Sequence, residues 1–134
     1  MKKQILIIDD DKWLSELVKK FLNFEKFEVD PVFNFSSQDD IIKQISGKKY
    51  DCVLIDYMLV SCNGIDLGKK MRTIPDYSTI PFILQTTLPL TPQLSHELLT
   101  INMTYLKKPF KKAELINTIF EALSVDYEDI KHNL

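Results

Sequence analysis

Short aliphatic runs alternate with amphipathic stretches along most of this 134-residue chain. That alternation constrains the fold more than any other feature. Ile5, Leu6, Ile7 and Ile8 read as a strand, and residues 12–24 as a helix with Leu14, Leu17, Val18, Phe21 and Leu22 on one face. Residues 27–33 read as a strand with polar residues interleaved. Ser36 and Ser37 offer a helix cap, and Ile41, Ile42 and Ile45 supply a short helix closed by Gly47. Strand 52–55 and helix 64–73 follow. A strand at 82–85 is entered through Pro81, and Thr91 and Pro92 open a helix running to about residue 101. A strand at 103–106 and a helix at 111–123 complete the series, the helix turning Leu115, Ile116, Ile119, Phe120 and Leu123 inward.

Five strands alternating with five helices imply a doubly wound α/β domain on a parallel sheet. The strands at 5–8, 52–55 and 82–84 are continuously apolar, as interior parallel strands are. The second strand carries polar residues and Pro31, which suits an edge. The fifth alternates and suits the other edge. With right-handed crossovers the simplest strand order is 2-1-3-4-5, the flavodoxin-like arrangement, in which ligands bind beyond the carboxyl ends of strands 1 and 3.

Those two strands end in acids. Asp9, Asp10 and Asp11 follow the first, and Asp56 follows the third. Two unit charges roughly 4 Å apart repel by about 4 kcal/mol at an effective dielectric of about 20. Such a cluster wants a cation, and its oxygen ligands suit a hard divalent ion such as Mg²⁺. Three in a row is crowded for ligands, so Asp11 is read as a helix start, where an acid favours the dipole. The fourth strand ends at Gln85, Thr86 and Thr87, and the fifth at Lys107, Lys108, Pro109 and Phe110. Each can project a polar group onto the same rim. Acids for a metal, a lysine for a phosphoryl oxygen and a threonine hydroxyl suit phosphoryl transfer to a carboxylate.

At this point the chain resembles the receiver domain of two-component response regulators, the CheY-like superfamily. The matching stretches are 5–11, 50–58 with Gly64 following, 80–87 and 105–110, four separated motifs in order. The resemblance runs from residue 4 to about 123. Receiver domains are themselves a type example of the 2-1-3-4-5 order, so that order is not independent support. The resemblance implies that Asp56 is the phosphoacceptor. Asp10 binds Mg²⁺ (or Mn²⁺) directly, Asp9 acts largely through water, and Asp56 and the backbone carbonyl of Met58 complete the protein ligands. Thr86, Thr87 and Lys108 line the phosphoryl site, Thr86 and Tyr105 act as the switch, and the Lys108–Pro109 peptide is cis. Val60 stands where a proline is common and implies a more mobile 58–64 loop. Ile101 stands where a glycine is common, so the turn into the last strand should differ. Thr87 is larger than the usual residue and narrows access. Apolar Met58 and Leu88 stand where similar domains admit or orient the attacking water, which implies a long-lived phosphoaspartate.

The implied partners are a histidine kinase or phosphotransfer protein, and a target protein or a second copy on the face of the fourth helix, fifth strand and fifth helix. The implied chemistry is confined to the protein's own phosphorylation and dephosphorylation, so the chain is not read as an enzyme. A net charge of −2 and scattered lysines point to neither nucleic acid nor lipid as a direct partner. No apolar run approaches a membrane span. Cys52 within a strand and Cys62 in a loop form no metal pattern and have no support for a disulfide, so the expected setting is cytoplasmic. Trp13 reads as packing or helix surface, and His96 and His132 as residues without a site role. Residues 1–123 are expected to form the receiver and 124–134 a polar, acidic tail, with no room after 123 for a DNA-binding output domain; a receiver cut from a larger regulator reads the same way. A receiver-fold module that is never phosphorylated is opposed by the retained Asp9, Asp10, Asp56, Thr86 and Lys108. A haloacid-dehalogenase-type phosphohydrolase needs an acid where Met58 stands. A flavodoxin-like carrier needs a hydroxyl- and glycine-rich loop where the first acids stand.

Overall fold

The computed structural model describes residues 2–23 and 27–124. The elements are β1 (Lys3–Ile8), α1 (Lys12–Asn23), β2 (Phe27–Val32), α2 (Gln38–Ile45), β3 (Cys52–Asp56), α3 (Gly64–Met71), β4 (Phe82–Thr86), α4 (Pro92–Thr100), β5 (Met103–Lys107) and α5 (Lys112–Ser124). All strand pairs are parallel, and the sheet order is β2-β1-β3-β4-β5. Phe24, the tail at 125–134 and His132 lie outside the described residues.

Side chains alternate across a strand, so each continuous aliphatic run feeds two cores. Leu6, Ile8, Val53, Ile55, Phe82 and Leu84 pack with Ile41 and Ile45 of α2, Leu67 of α3 and Leu98 of α4. Ile5, Ile7, Cys52, Leu54 and Ile83 pack on the other face with Val18 and Leu22 of α1 and Leu115 and Ile119 of α5. Every residue of β3 and β4 is buried, whereas β2 and β5 include exposed positions, as edge strands do.

Local chemistry sets the helix ends. Asp11 Oδ1 accepts from the Leu14 N–H at 3.0 Å and starts α1. Ser37 caps α2 through the Asp40 N–H, Asn63 caps α3 through the Asp66 N–H, and Thr91 caps α4 through the Leu94 N–H ahead of Pro92. Gly47 follows α2 with φ +76°, the left-handed conformation a glycine adopts without a Cβ penalty. At the turn into β5 the left-handed residue is Asn102, φ 53°, next to the unusual Ile101. Asparagine tolerates that region better than other side chains.

The structure departs from the sequence reading in α5. Its buried stripe is Leu115, Ile119 and Ala122, with Leu123 partly buried. Phe120, expected inward, is half-exposed and leans its ring on Phe27 at 5.4 Å between centroids. A short 3-10 turn, Pro75–Tyr77, was not expected either. It buries Tyr77, whose hydroxyl donates to the carbonyls of Ile45 and Lys48. Beside it the Arg72 guanidinium lies 3.5 Å from the Phe82 ring centroid and donates to the carbonyls of Tyr77, Ile80, Ile101 and Asn102.

Candidate functional site

Strand parity delivers the site. Ile5 and Ile7 lead to Asp9, Cys52 and Leu54 lead to Asp56, and Ile83 leads to Gln85, all in rows on the same face of the sheet. β1 and β3 are neighbours, so their terminal acids meet. Asp9, Asp10 and Asp56 each present a carboxylate oxygen, and these oxygens lie within 4.8 Å of one another. Asp9 is 1% exposed and Asp56 8%, while Asp10 is the most open of the three.

Lys108 reaches this cluster from the end of β5. Its Nζ lies 3.2 Å from Asp56 Oδ1 and 3.5 Å from Asp9 Oδ2. The Lys108–Pro109 peptide is cis, as the resemblance implied. One ammonium thus faces three carboxylates. Burial pushes the Asp56 carboxyl up to about 6, and the charge of Asp9 adds to this while Lys108 opposes it. Burial also raises Asp9, against the Asp11 N–H and Lys108. The protein alone leaves the cluster short of positive charge. The all-oxygen, closely spaced donor set fits a hard divalent cation.

Asp9 is held on both oxygens. Oδ1 accepts from the Asp11 N–H at 2.9 Å, and Oδ2 accepts from Gln85 Nε2 at 3.1 Å as well as from Lys108. Asp11 takes no place in the cluster and caps α1 instead. Gln85 received no role in the sequence reading. The signal available was an amide within an aliphatic strand, one residue before Thr86.

Thr86 is buried at the end of β4, and its backbone carbonyl accepts from the Lys108 N–H at 2.8 Å. Its Oγ1 accepts from the Leu88 N–H at 3.0 Å. The Tyr105 hydroxyl donates to the Leu88 carbonyl at 2.6 Å. Thr86 and Tyr105 therefore hold the two sides of one residue. Thr87 is exposed beside them. Met58 is 72% exposed and Leu88 41% exposed. The 58–64 loop carries an antiparallel bridge between Met58 and Asn63, and Gly64 donates to the Tyr57 carbonyl at 2.8 Å. A Cβ on Gly64 would collide with the Asp56 backbone oxygen and lie 2.9 Å from Leu84 Cδ1, so only glycine fits there. Trp13 lies on the surface of α1 and His96 on that of α4. Cys52 is buried, and both cysteines are free thiols.

Residues 5–120 match the family described as the response regulator receiver domain. A transcriptional regulatory protein, CrdR of Helicobacter pylori, is 31% identical over 134 residues, covering 100% of this chain and 61% of its own length. The phosphate regulon transcriptional regulatory protein PhoB of Rhizobium meliloti is 28% identical over 116 residues, 87% of this chain and 50% of its own. This chain thus spans about half to three-fifths of the length of these curated relatives. Among solved structures, a CheY-like response regulator receiver domain protein from Methanospirillum hungatei superposes with a TM-score of 0.77 at 25% identity, covering 98% of this chain and 99% of its own. The chemotaxis protein CheY4 of Vibrio cholerae reaches a TM-score of 0.81 at 20% identity, covering 91% and 99%, and supports the fold alone.

Proposed function

The chain belongs to the response regulator receiver domain family, whose general function is phosphorylation-controlled signalling, and on that premise we propose that Asp56 is the residue phosphorylated. One observation carries the assignment. Asp56 sits at the carboxyl end of a central strand, within 4.8 Å of two further carboxylates by ligand atom and 3.2 Å from Lys108. The donor is a histidine kinase or phosphotransfer protein. An Asp56 carboxylate oxygen bonds to phosphorus while the bond to the donor's imidazole nitrogen breaks, and that nitrogen leaves with the electron pair. The acids suit Mg²⁺ or Mn²⁺, held by Asp10, Asp56 and the Met58 carbonyl, with Asp9 acting through water. A bound divalent cation supplies positive charge opposite the phosphoryl oxygens.

The chain's own groups do the rest. Lys108 moves from Asp9 toward a phosphoryl oxygen. The Thr86 hydroxyl donates to another, and Thr87 lines the entrance. Thr86 Oγ1 accepts from the Leu88 N–H and Tyr105 donates to the carbonyl of that same residue, so a Thr86 drawn toward the phosphoryl group pulls on Leu88. Movement at the phosphoryl group is thereby coupled to Tyr105 and to the α4–β5–α5 face, which binds a target protein or a second copy of the chain. The chemistry is confined to the protein's own phosphorylation and its reversal. Residues 1–123 make the receiver and 124–134 a polar, acidic tail. Free Cys52 and Cys62 suit a reducing, cytoplasmic setting, and no helix among the described residues is long and apolar enough to cross a membrane.

Incubation with Mg²⁺ and acetyl phosphate, followed by intact mass measurement, tests the assignment. A gain of one phosphoryl group that disappears in Asp56→Asn is expected. An equal gain in that variant sinks it. Exposed, apolar Met58 and Leu88 offer no hydrogen bond to an attacking water, so the phosphoryl group should be long-lived. Met58→Asn should shorten its lifetime; rapid loss in the parent refutes this.

A further inference from the structure

On the reading that this site holds a divalent cation beside a phosphorylated Asp56, we infer that Gln85 is a positioning residue for that cation. Its amide nitrogen sets the Asp9 carboxylate, and its carbonyl oxygen accepts from water carried in with the hydrated ion. Gln85 is 1% exposed and stands in a strand whose other residues before Thr86 are Phe82, Ile83 and Leu84. Its Nε2 makes the shortest hydrogen bond to Asp9 Oδ2, 3.1 Å against 3.5 Å for Lys108. Among the described residues, its Oε1 is the buried side-chain polar atom with no hydrogen-bond partner.

Packing alone does not account for an amide here. An aliphatic residue would fill the position as Ile83 fills its own, without burying an unmatched acceptor. The amide does two things an aliphatic cannot. It holds Asp9 with a neutral donor, which orients the carboxylate without cancelling the negative charge a cation needs. It also keeps hold of Asp9 Oδ2 when Lys108, shared between Asp9 and Asp56, turns to a phosphoryl oxygen.

Oε1 has no hydrogen-bond donor among the described residues. The ionised carboxylates are acceptors only, and Lys108 is committed to Asp9 and Asp56. A small divalent cation that keeps several of its waters brings O–H donors into this space. The amide is within hydrogen-bond distance of Asp9, the ligand expected to work through such a water.

Calorimetric titration of the full chain with MgCl₂ tests this in the parent, Gln85→Met and Gln85→Leu, with thermal unfolding in EDTA run alongside. Outer partners of a metal ligand typically change affinity about 10- to 100-fold when removed. Both variants should bind Mg²⁺ about tenfold more weakly or worse, while their metal-free midpoints stay level or rise. Affinities within twofold of the parent overturn the inference. So does loss of the metal-free fold in both variants, which would make Gln85 a structural residue. A parent that binds no Mg²⁺ overturns the cation reading itself, an outcome distinct from a parent that binds and variants that bind equally.

Discussion

Replacing Asp56 with asparagine removes a carboxylate that the fold holds at a disadvantage. Its pKa is about 6 in the folded protein, against an ordinary 3.8. Between those values the unfolded chain has released the proton and the folded chain has kept it. The folded state then binds more protons, so stability falls as pH rises through that window and levels off above about 6. A difference of about two in pKa corresponds to about 3 kcal/mol. That is the upper bound on what Asp56→Asn should gain at pH 8 without metal. The attraction of Lys108 for the ionised carboxylate is already counted in that shift, and Lys108 keeps Asp9 as a partner in the variant. Urea unfolding in EDTA at several pH values measures the gain. The variant's advantage should be small near pH 4 and fully developed by pH 7. Adding MgCl₂ should shrink the gap, because a ligand of the native state stabilises the parent by mass action. A parent more stable than the variant at pH 8 would refute the reasoning, since the pair with Lys108 would then outweigh burial. A gap that does not change with pH would refute it too, by pointing to packing rather than charge.

Gly64→Ala should destabilise the fold by about 1–3 kcal/mol, the usual range for overpacking, because the new methyl meets the Asp56 backbone oxygen; a variant as stable as the parent in urea would contradict this. Tyr77→Phe leaves the carbonyls of Ile45 and Lys48 without their hydroxyl donor and should cost about 1 kcal/mol, read from the same denaturation curves. Thiol titration of the native protein with an aromatic disulfide reagent should modify Cys62 and spare Cys52, which is fully buried with its thiol pushed up to about 12. Equal rates at both would show that β3 opens readily.

The aliphatic runs, the caps and the acids at strand ends point to five parallel strands and to acids meeting at one rim, while the strand order and the role of Lys108 there drew also on the resemblance to receiver domains. Those signals are local or periodic. A parallel strand buried on both faces must be apolar along its length, and its terminal residue must emerge at the rim. Asp11 was separable because three ligands from one run would be crowded and an acid at a helix start favours the dipole, and in the structure it caps α1 through the Leu14 N–H. What the tertiary structure alone decided depends on residues distant in sequence. Phe120 left the core because the stripe facing the sheet runs through Leu115, Ile119 and Ala122, and its ring found Phe27 instead. Arg72 gathers carbonyls from two separate turns, a role no periodicity encodes. Gln85 reaches Asp9 across an intervening strand, 76 residues away in the chain. A sequence shows that a polar group stands in an apolar strand. Which carboxylate it holds, and which of its atoms goes without a partner, follows only once β1, β3 and β4 lie side by side.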